Sequence, residues 1–290
     1  MEAFIQYTIN GIITGLIYSL VAIGFNIIYA STKIVNFAQG EFVMLGAMLE
    51  FYLLSIHIPI VISFLISILS VGILGYLIFS IFIKNTKSKN ELTLIILTIG
   101  IAMTIRGTSM ITFGKNAHPV RQFLPFESIT VLGLSFSSQY LIIIFTTLIL
   151  ATLLFLFFSK TLQGKIAIAI SENRVACEVF GIDSSKIQAL SFFVSGVIGA
   201  IGGSIMAPIL FAKYDMGLSI GLKGFAASVV GGFGNNIGAL LGGLLIGVAE
   251  SLSSGYISSS YRDIVAFSIM ILTLFLMPQG LLGSKDVERV

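Results

Sequence analysis

The sequence predicts an all-α, polytopic bundle of transmembrane helices, and two observations carry that prediction. Of 290 residues, 56% are hydrophobic and only 10% charged, with a mean hydropathy of +1.04, whereas an ordinary soluble domain is about 25% charged. The apolar residues also fall in runs of the length that a hydrocarbon core demands, roughly 20 residues per helical crossing. Seven such runs lie at about residues 5 to 29, 60 to 83, 92 to 113, 139 to 158, 188 to 211, 237 to 257 and 263 to 278. Two further segments, about 37 to 56 and 217 to 233, are interrupted by glycine or polar residues and either span or re-enter, giving eight to nine membrane segments. Residues 1–290 read as one membrane-spanning domain, since no stretch is polar enough to fold a catalytic or nucleotide-binding domain outside the bilayer. An energy source must then be a partner or an ion gradient.

The first run follows Met1-Glu2-Ala3, which has no basic stretch, and is longer than the apolar part of a signal peptide, so it is expected to be retained. Lys and Arg in short loops favour the cytoplasm. With both interrupted segments crossing, Lys33, Lys84, Lys87, Lys89, Lys160, Lys165, Arg174, Lys186, Lys285 and Arg289 share one side. Lys115, Arg121, Lys213, Lys223 and Arg262 share the other, and the imbalance predicts nine crossings with the N-terminus outside and the C-terminus inside. The small net charge of +3 gives no sign of nucleic acid, and a single cysteine, Cys177, excludes an intrachain disulfide or a metal site of several thiolates.

Two connections are long. The outer one, about 114 to 138, contains His118-Pro119, Leu124-Pro125 and Gly133 and reads as turns and short irregular structure. The inner one, about 159 to 187, is bounded by Gly164 and Gly181 and places Glu172, Val175, Ala176 and Val179 along one side of a short helix. Gly181 stands where that helix should stop, and Asp183-Ser184-Ser185 where the next should be capped. By spacing alone, this segment is equally a knob for a partner or a helix lying on lipid headgroups.

The same loop resembles the coupling segment of permeases in branched-chain amino acid ABC transporters. Gly164, Ala169, Asn173, Arg174, Ala176, Gly181, Ile182 and Asp183 stand at matching positions, with Lys165 in place of one arginine and Ile168 in place of another. The resemblance extends to Gly15–Phe25 and Tyr29, to Asn36-Phe37-Ala38-Gln39-Gly40-Glu41-Phe42, with Gln39 where His is usual, to Gly231–Ala239 and Gly247–Glu250, and to Tyr261-Arg262-Asp263 and Pro278–Gly283. Such ordered motifs are similar to those of the LivH-type permease. The resemblance implies a bacterial plasma-membrane importer: a second permease, two cytoplasmic ATPases that use ATP, and an outer solute-binding protein. It also implies no cofactor or catalytic residue in this chain, and leucine, isoleucine or valine as cargo, with urea, amides or other amino acids as alternatives within the same architecture.

Two interruptions are candidates for the translocation path. Asn36, Phe37, Gln39, Gly40 and Glu41 form either a helix start, with the carboxylate favoured by the dipole, or a lining of free amides and carbonyls for a zwitterion. Polar groups this near the membrane favour the second reading. Gly231, Gly232 and Gly234, with Asn235 and Asn236, break the helix at a depth where irregular backbone needs protein or water beside it. Most other glycines, such as Gly11 and Gly15 or Gly243 and Gly247, are spaced for close helix packing. Arg106 and Glu250, inside apolar helices, are expected to pair with each other, to face the pore or to snorkel to an interface. His57 and His118 read as loop residues and not as a metal site.

A secondary transporter would need an intramembrane coupling pair, and only the scattered Glu41 and Glu250 are available. An intramembrane enzyme would need a nucleophile and base, yet no Gly-x-Ser-x-Gly accompanies the many Ser and Thr.

Overall fold

The computed structural model describes residues 1–87, 90–126, 128–131 and 134–283, so Lys89, Lys285 and Arg289 of the charge count and the Gly133 turn lie outside the described residues. Its helices are α1 (Glu2–Thr32), α2 (Gln39–Ser55), α3 (Ile60–Leu77, continued by a wider π turn over Ile78–Ile83), α4 (Glu91–Phe113), α5 (Gln139–Lys160), α6 (Leu162–Glu172), α7 (Arg174–Val179), α8 (Ser184–Leu210), α9 (Met216–Gly231), α10 (Asn236–Tyr256) and α11 (Arg262–Leu276). Seven of these, α1, α3, α4, α5, α8, α10 and α11, are long and apolar enough to cross a membrane. They coincide with the seven uninterrupted runs. The shorter α2 and α9, 17 and 16 residues long, occupy the interrupted segments.

Short polar side chains start the helices. Asn90, Thr161, Asn173, Asp183 and Asn235 each accept a backbone N–H from the first turn of α4, α6, α7, α8 and α10, satisfying donors that a helix start leaves open.

Glycine sets the packing. α1 runs through the centre and lies backbone to backbone on α10: a Cβ on Gly15 would be 2.8 Å from the Gly243 carbonyl oxygen, and one on Gly11 would be 2.7 Å from Val248 Cα. α8 is the second hub, meeting Gly46 of α2 through Ala200 and Gly72 of α3 through Val197. Apolar helices gain little from leaving lipid for one another, so such close approach, with its dispersion and short polar contacts, holds them together. α11 sits at the edge against α9 and α10, with much of its apolar surface exposed.

The helix ends fall into two sets. One end holds the start of α1, where Tyr7 meets Tyr256 with ring centroids 5.5 Å apart, and the strap at His118, which exchanges two 2.9 Å backbone bonds with Ala212. The other end holds Lys33 and Lys84 beside Arg174 and Ser185, and residues 279–283, whose Leu281 and Leu282 N–H groups cap the Val230 and Gly231 carbonyls. The start of α1 and residues 279–283 therefore lie at opposite ends, as an odd number of passes requires.

Three local expectations are corrected. The outer connection is not wholly irregular, because Ser-Ile-Thr-Val and Leu-Ser-Phe-Ser alternate polar and apolar residues and pair as antiparallel β1 (Ser128–Val131) and β2 (Leu134–Ser137). The inner connection is two helices, not one: Asn173 breaks it with φ −151° and ψ 89°, leaving Glu172 on α6 and Val175, Ala176 and Val179 on α7. Gly164 is not a boundary. It lies inside α6, where a Cβ would strike the Phe157 carbonyl of α5.

Replacing Gly15 with Leu should drive α1 from α10 and destabilise the protein by about 1–3 kcal/mol or more. Leu at Gly100, where a Cβ meets nothing within 4 Å, should leave the melting temperature of the detergent-purified protein near that of the parent. Equal melting of the two variants would contradict the packing described.

Candidate functional site

After α1 ends at Lys33 in left-handed backbone (φ 57°), the chain turns back into the bundle. Asn36 Oδ1 accepts the Ala38 N–H at 3.1 Å, and the Phe37 N–H donates at 3.2 Å to Thr98 Oγ1, about two turns into α4. Non-helical backbone thus runs inside the bundle, where protein groups supply its partners. Gln39 ties three helices: its Nε2 donates to the Ser195 carbonyl at 3.2 Å, and Ser195 Oγ donates to Gln39 Oε1 at 2.5 Å and approaches the Gly24 carbonyl at 2.8 Å. Gly40 lets α2 touch α9 at Gly217 and Gly221.

The geometry divides the polar segment in two. Asn36, Gln39 and Gly40 are buried between helices, while Phe37 and Glu41 face a cavity of about 370 Å³ between α1, α2, α4 and α9. Arg106 of α4 reaches that cavity too, its Nε 3.1 Å from Glu41 Oε1 and its Nη2 on the same oxygen. Pairing with Glu250 was one of the three readings open for Arg106; packing of α4 against α2 gives it Glu41 instead, at the edge of this cavity.

Glu250 belongs to a second charged cluster. Its Oε1 accepts from Lys223 Nζ at 2.7 Å and forms an ion pair with Arg262, whose Nε lies 3.0 Å away, and Lys223 also reaches Asp263 at 2.8 Å. Lys223, expected in an outer loop, is instead buried within α9. Apolar residues on both sides of Lys223 were the available signal, since a cation inside such a helix needs an internal partner.

The glycine interruption is a turn between α9 and α10, at the end of the bundle that holds Lys33, and not a break in mid-helix. Gly232 and Gly234 take φ of 101° and 83°, which suits residues without a Cβ. Gly231 packs on the Gly238 carbonyl, and Gly232 on Gly283 and the Gln279 carbonyl. Asn26, which the sequence reading did not single out, locks this turn from α1. Its Oδ1 accepts from Ser228 Oγ at 2.5 Å and from the Gly234 N–H at 3.1 Å, and its Nδ2 donates to the Asn235 carbonyl at 2.9 Å. A cavity of about 450 Å³ separates the turn from Ile168 and Glu172 of α6.

The inner connection is held rigidly. Thr161 caps α6, and Asn173 Oδ1 caps α7 by accepting the Ala176 N–H at 2.9 Å. At the far end Gly181 (φ 79°) donates to the Glu178 carbonyl and Ile182 to the Cys177 carbonyl, both at 3.0 Å, the double closure of a Schellman motif. Asp183 then caps α8 through the Lys186 N–H at 3.2 Å, and the Lys186 ammonium and that N–H hold its carboxyl below the usual range. Lys165 lies on α6, and Arg174 pairs with Glu178 at 2.7 Å. Cys177 points inward while Val175, Val179 and Phe180 are 71, 79 and 84% exposed. The result is a fixed apolar knob rather than a mobile loop.

Spanning helices around an irregular polar segment, with a capped knob at one end, define a multi-pass membrane protein. Residues 7–274 match the family model for the permease component of branched-chain amino acid transport systems, and the chain belongs to that family. These permeases are the non-catalytic transmembrane subunits of ABC importers; partner subunits hydrolyse ATP. The chain is 31% identical to the high-affinity branched-chain amino acid transport system permease protein BraD of Pseudomonas aeruginosa, over 99% of this chain and 98% of BraD. It is 30% identical to LivH of Salmonella typhimurium over the same shares. Its fold is similar to a chain of PsaBC from Streptococcus pneumoniae, solved in complex with Fab, with TM-score 0.53, 11% identity and coverage of 95% of this chain and 92% of that one.

Glu250→Leu should cost about 3–5 kcal/mol because it leaves the buried Lys223 with only the exposed Asp263 as counter-charge. The double variant Lys223→Met/Glu250→Leu should recover part of that loss in thermal unfolding. Additive losses would show that the two charges do not act as a pair.

Proposed function

We propose that this chain is the permease subunit of an ATP-driven importer of branched-chain amino acids in a bacterial plasma membrane. It works beside a second permease of similar fold, two cytoplasmic ATPases and an outer solute-binding protein. Its N-terminus faces outward, and the end holding Lys33, Lys84 and the knob faces the cytoplasm. The excess of Lys and Arg at that end supports this orientation. The leucine-type substrate is supported by family membership and by the names of the relatives that span nearly the whole chain.

The observation that carries the proposal is the exposed triad Val175, Val179 and Phe180. Three large apolar side chains on a short, doubly capped helix suit a groove in another protein. A helix laid on headgroups would gain less from so rigid a mounting. In this reading the knob, with Lys165, Asn173, Arg174 and Ala176, docks in the ATPase pair, and Gly164, Gly181, Ile182 and Asp183 fix it to α5 and α8. The translocation path is assigned to the re-entrant segment, lined by Phe37 and Glu41 and shaped behind by Asn36, Gln39 and Gly40. The turn at Gly231, Gly232 and Gly234 closes its inner end.

In proteoliposomes carrying the full transporter, Phe180→Asp or Arg174→Glu should lower leucine uptake per ATP hydrolysed by roughly tenfold, about 1.4 kcal/mol of lost coupling. Gly181→Val, which forces a β-branched residue to φ 79° at a strain of about 1–2 kcal/mol, should do the same while the chain still inserts. Unchanged ratios in all three would remove the knob from the ATPase contact.

A further inference from the structure

We propose that the cavity holding Glu41 and Arg106 is a way-station that binds the zwitterionic head and aliphatic side chain of an amino acid during passage. The inference rests on the importer reading and assigns residues to one step of it.

The first argument is the placement of the ion pair. Glu41 is 1% exposed and Arg106 23%, so the pair is sealed on the carboxylate side and open on the guanidinium side. The neighbouring Met103 and Leu218 are exposed on the outside of the bundle. A partly open ion pair on such a face is costly against hydrocarbon, and it is tolerated where the face meets water or another protein. The surface therefore lines a path or a seam between permeases.

The second argument is unused bonding capacity. Arg106 engages only one oxygen of Glu41, and Oε2 has no hydrogen-bond partner. An ionised carboxylate accepts about four donors, and a guanidinium offers five N–H groups. An amino acid α-carboxylate fits the open side of Arg106, and its α-ammonium fits the remaining acceptor positions of Glu41, reached by rotation about the broad terminal torsion of the glutamate. A ligand with only one of the two charges would leave one member of the pair unmatched.

The third argument is the wall. Phe25, Phe37, Ile99, Met103, Leu218 and Leu222 surround the charged pair, which suits an aliphatic side chain and offers no second polar group to a sugar or an amide. The volume, about 370 Å³, falls within the range of roughly 300–1,000 Å³ seen for small-molecule sites. Gly217 of α9 leaves room for the carboxylate, since a Cβ there would lie 2.7 Å from Glu41 Oε2. A bond that served only as a strut between α2 and α4 would need neither the apolar walls nor this space.

The test uses the complete transporter in proteoliposomes, with its binding protein loaded with photo-leucine, a diazirine analogue of leucine, and illuminated during ATP turnover. Adducts are expected on the stretches 99–106 or 217–222 and should be suppressed by excess leucine. In parallel, Met103→Trp, an exposed position where the fold tolerates bulk, should fill the cavity and lower leucine uptake per ATP by roughly tenfold. Glu41→Gln should lower it as well, but a failure of that variant to fold leaves the Met103→Trp result decisive. Adducts confined to other segments, or an unchanged ratio for Met103→Trp beside an active parent, would overturn the station while leaving the importer reading intact. A parent transporter that takes up no aliphatic amino acid would instead overturn the importer reading, and the station with it.

Discussion

A polar atom inside hydrocarbon has no water to bond, and this constraint decides how the helices of the bundle are tied together. Backbone groups are met within helices, many Ser and Thr hydroxyls bond their own helix, and the longer buried polar side chains find partners across helices. Asn26 satisfies the turn after α9, Gln39 and Ser195 join α2 to α8 and α1, and Lys223 meets Glu250 and Asp263. Where the side chain is short, a glycine can bring the backbones close enough for it to reach. Packing and polar satisfaction are therefore one design problem here: without Gly24, the amide of Gln39 would have no room beside α1.

The number and position of the long helices were legible in the sequence because hydropathy reports the solvent directly. So were the helix stop at Gly181 and the cap at Asp183, which depend on residues a few positions apart. Pairing across helices was not legible. Nothing in the spacing of Arg106 indicates that α4 lies beside α2 rather than α10, so its partnership with Glu41 required three-dimensional neighbours. The same limit hid Lys223: α9 is short and glycine-rich, and a lysine in such a segment reads as a loop until its surroundings are known. The fate of the Asn36–Glu41 segment was only half visible. Its polarity was evident, but which side chains turn to a cavity and which stitch helices follows from the path of the backbone after Lys33.

The site combines rigidity and openness in adjacent residues. Gln39 is fixed by two bonds to Ser195 of α8, and two positions later Glu41 faces a cavity with bonding capacity to spare. α8 carries Ser195 at one level and is capped by Asp183 directly after the knob at another. One continuous helix thus spans the distance between the surface assigned to the ATPases and the segment assigned to the ligand, and no flexible linker intervenes.

The lock around Asn26 has a consequence for how the chain is made. Asn26 emerges with the first helix, whereas Ser228 and Asn235 follow it by 202 and 209 residues. For most of synthesis the central helix therefore carries a buried-type amide with none of its final partners. The end of the bundle that holds Lys33 can close only when α9 and α10 are in place, so α1 is made long before it is fully seated.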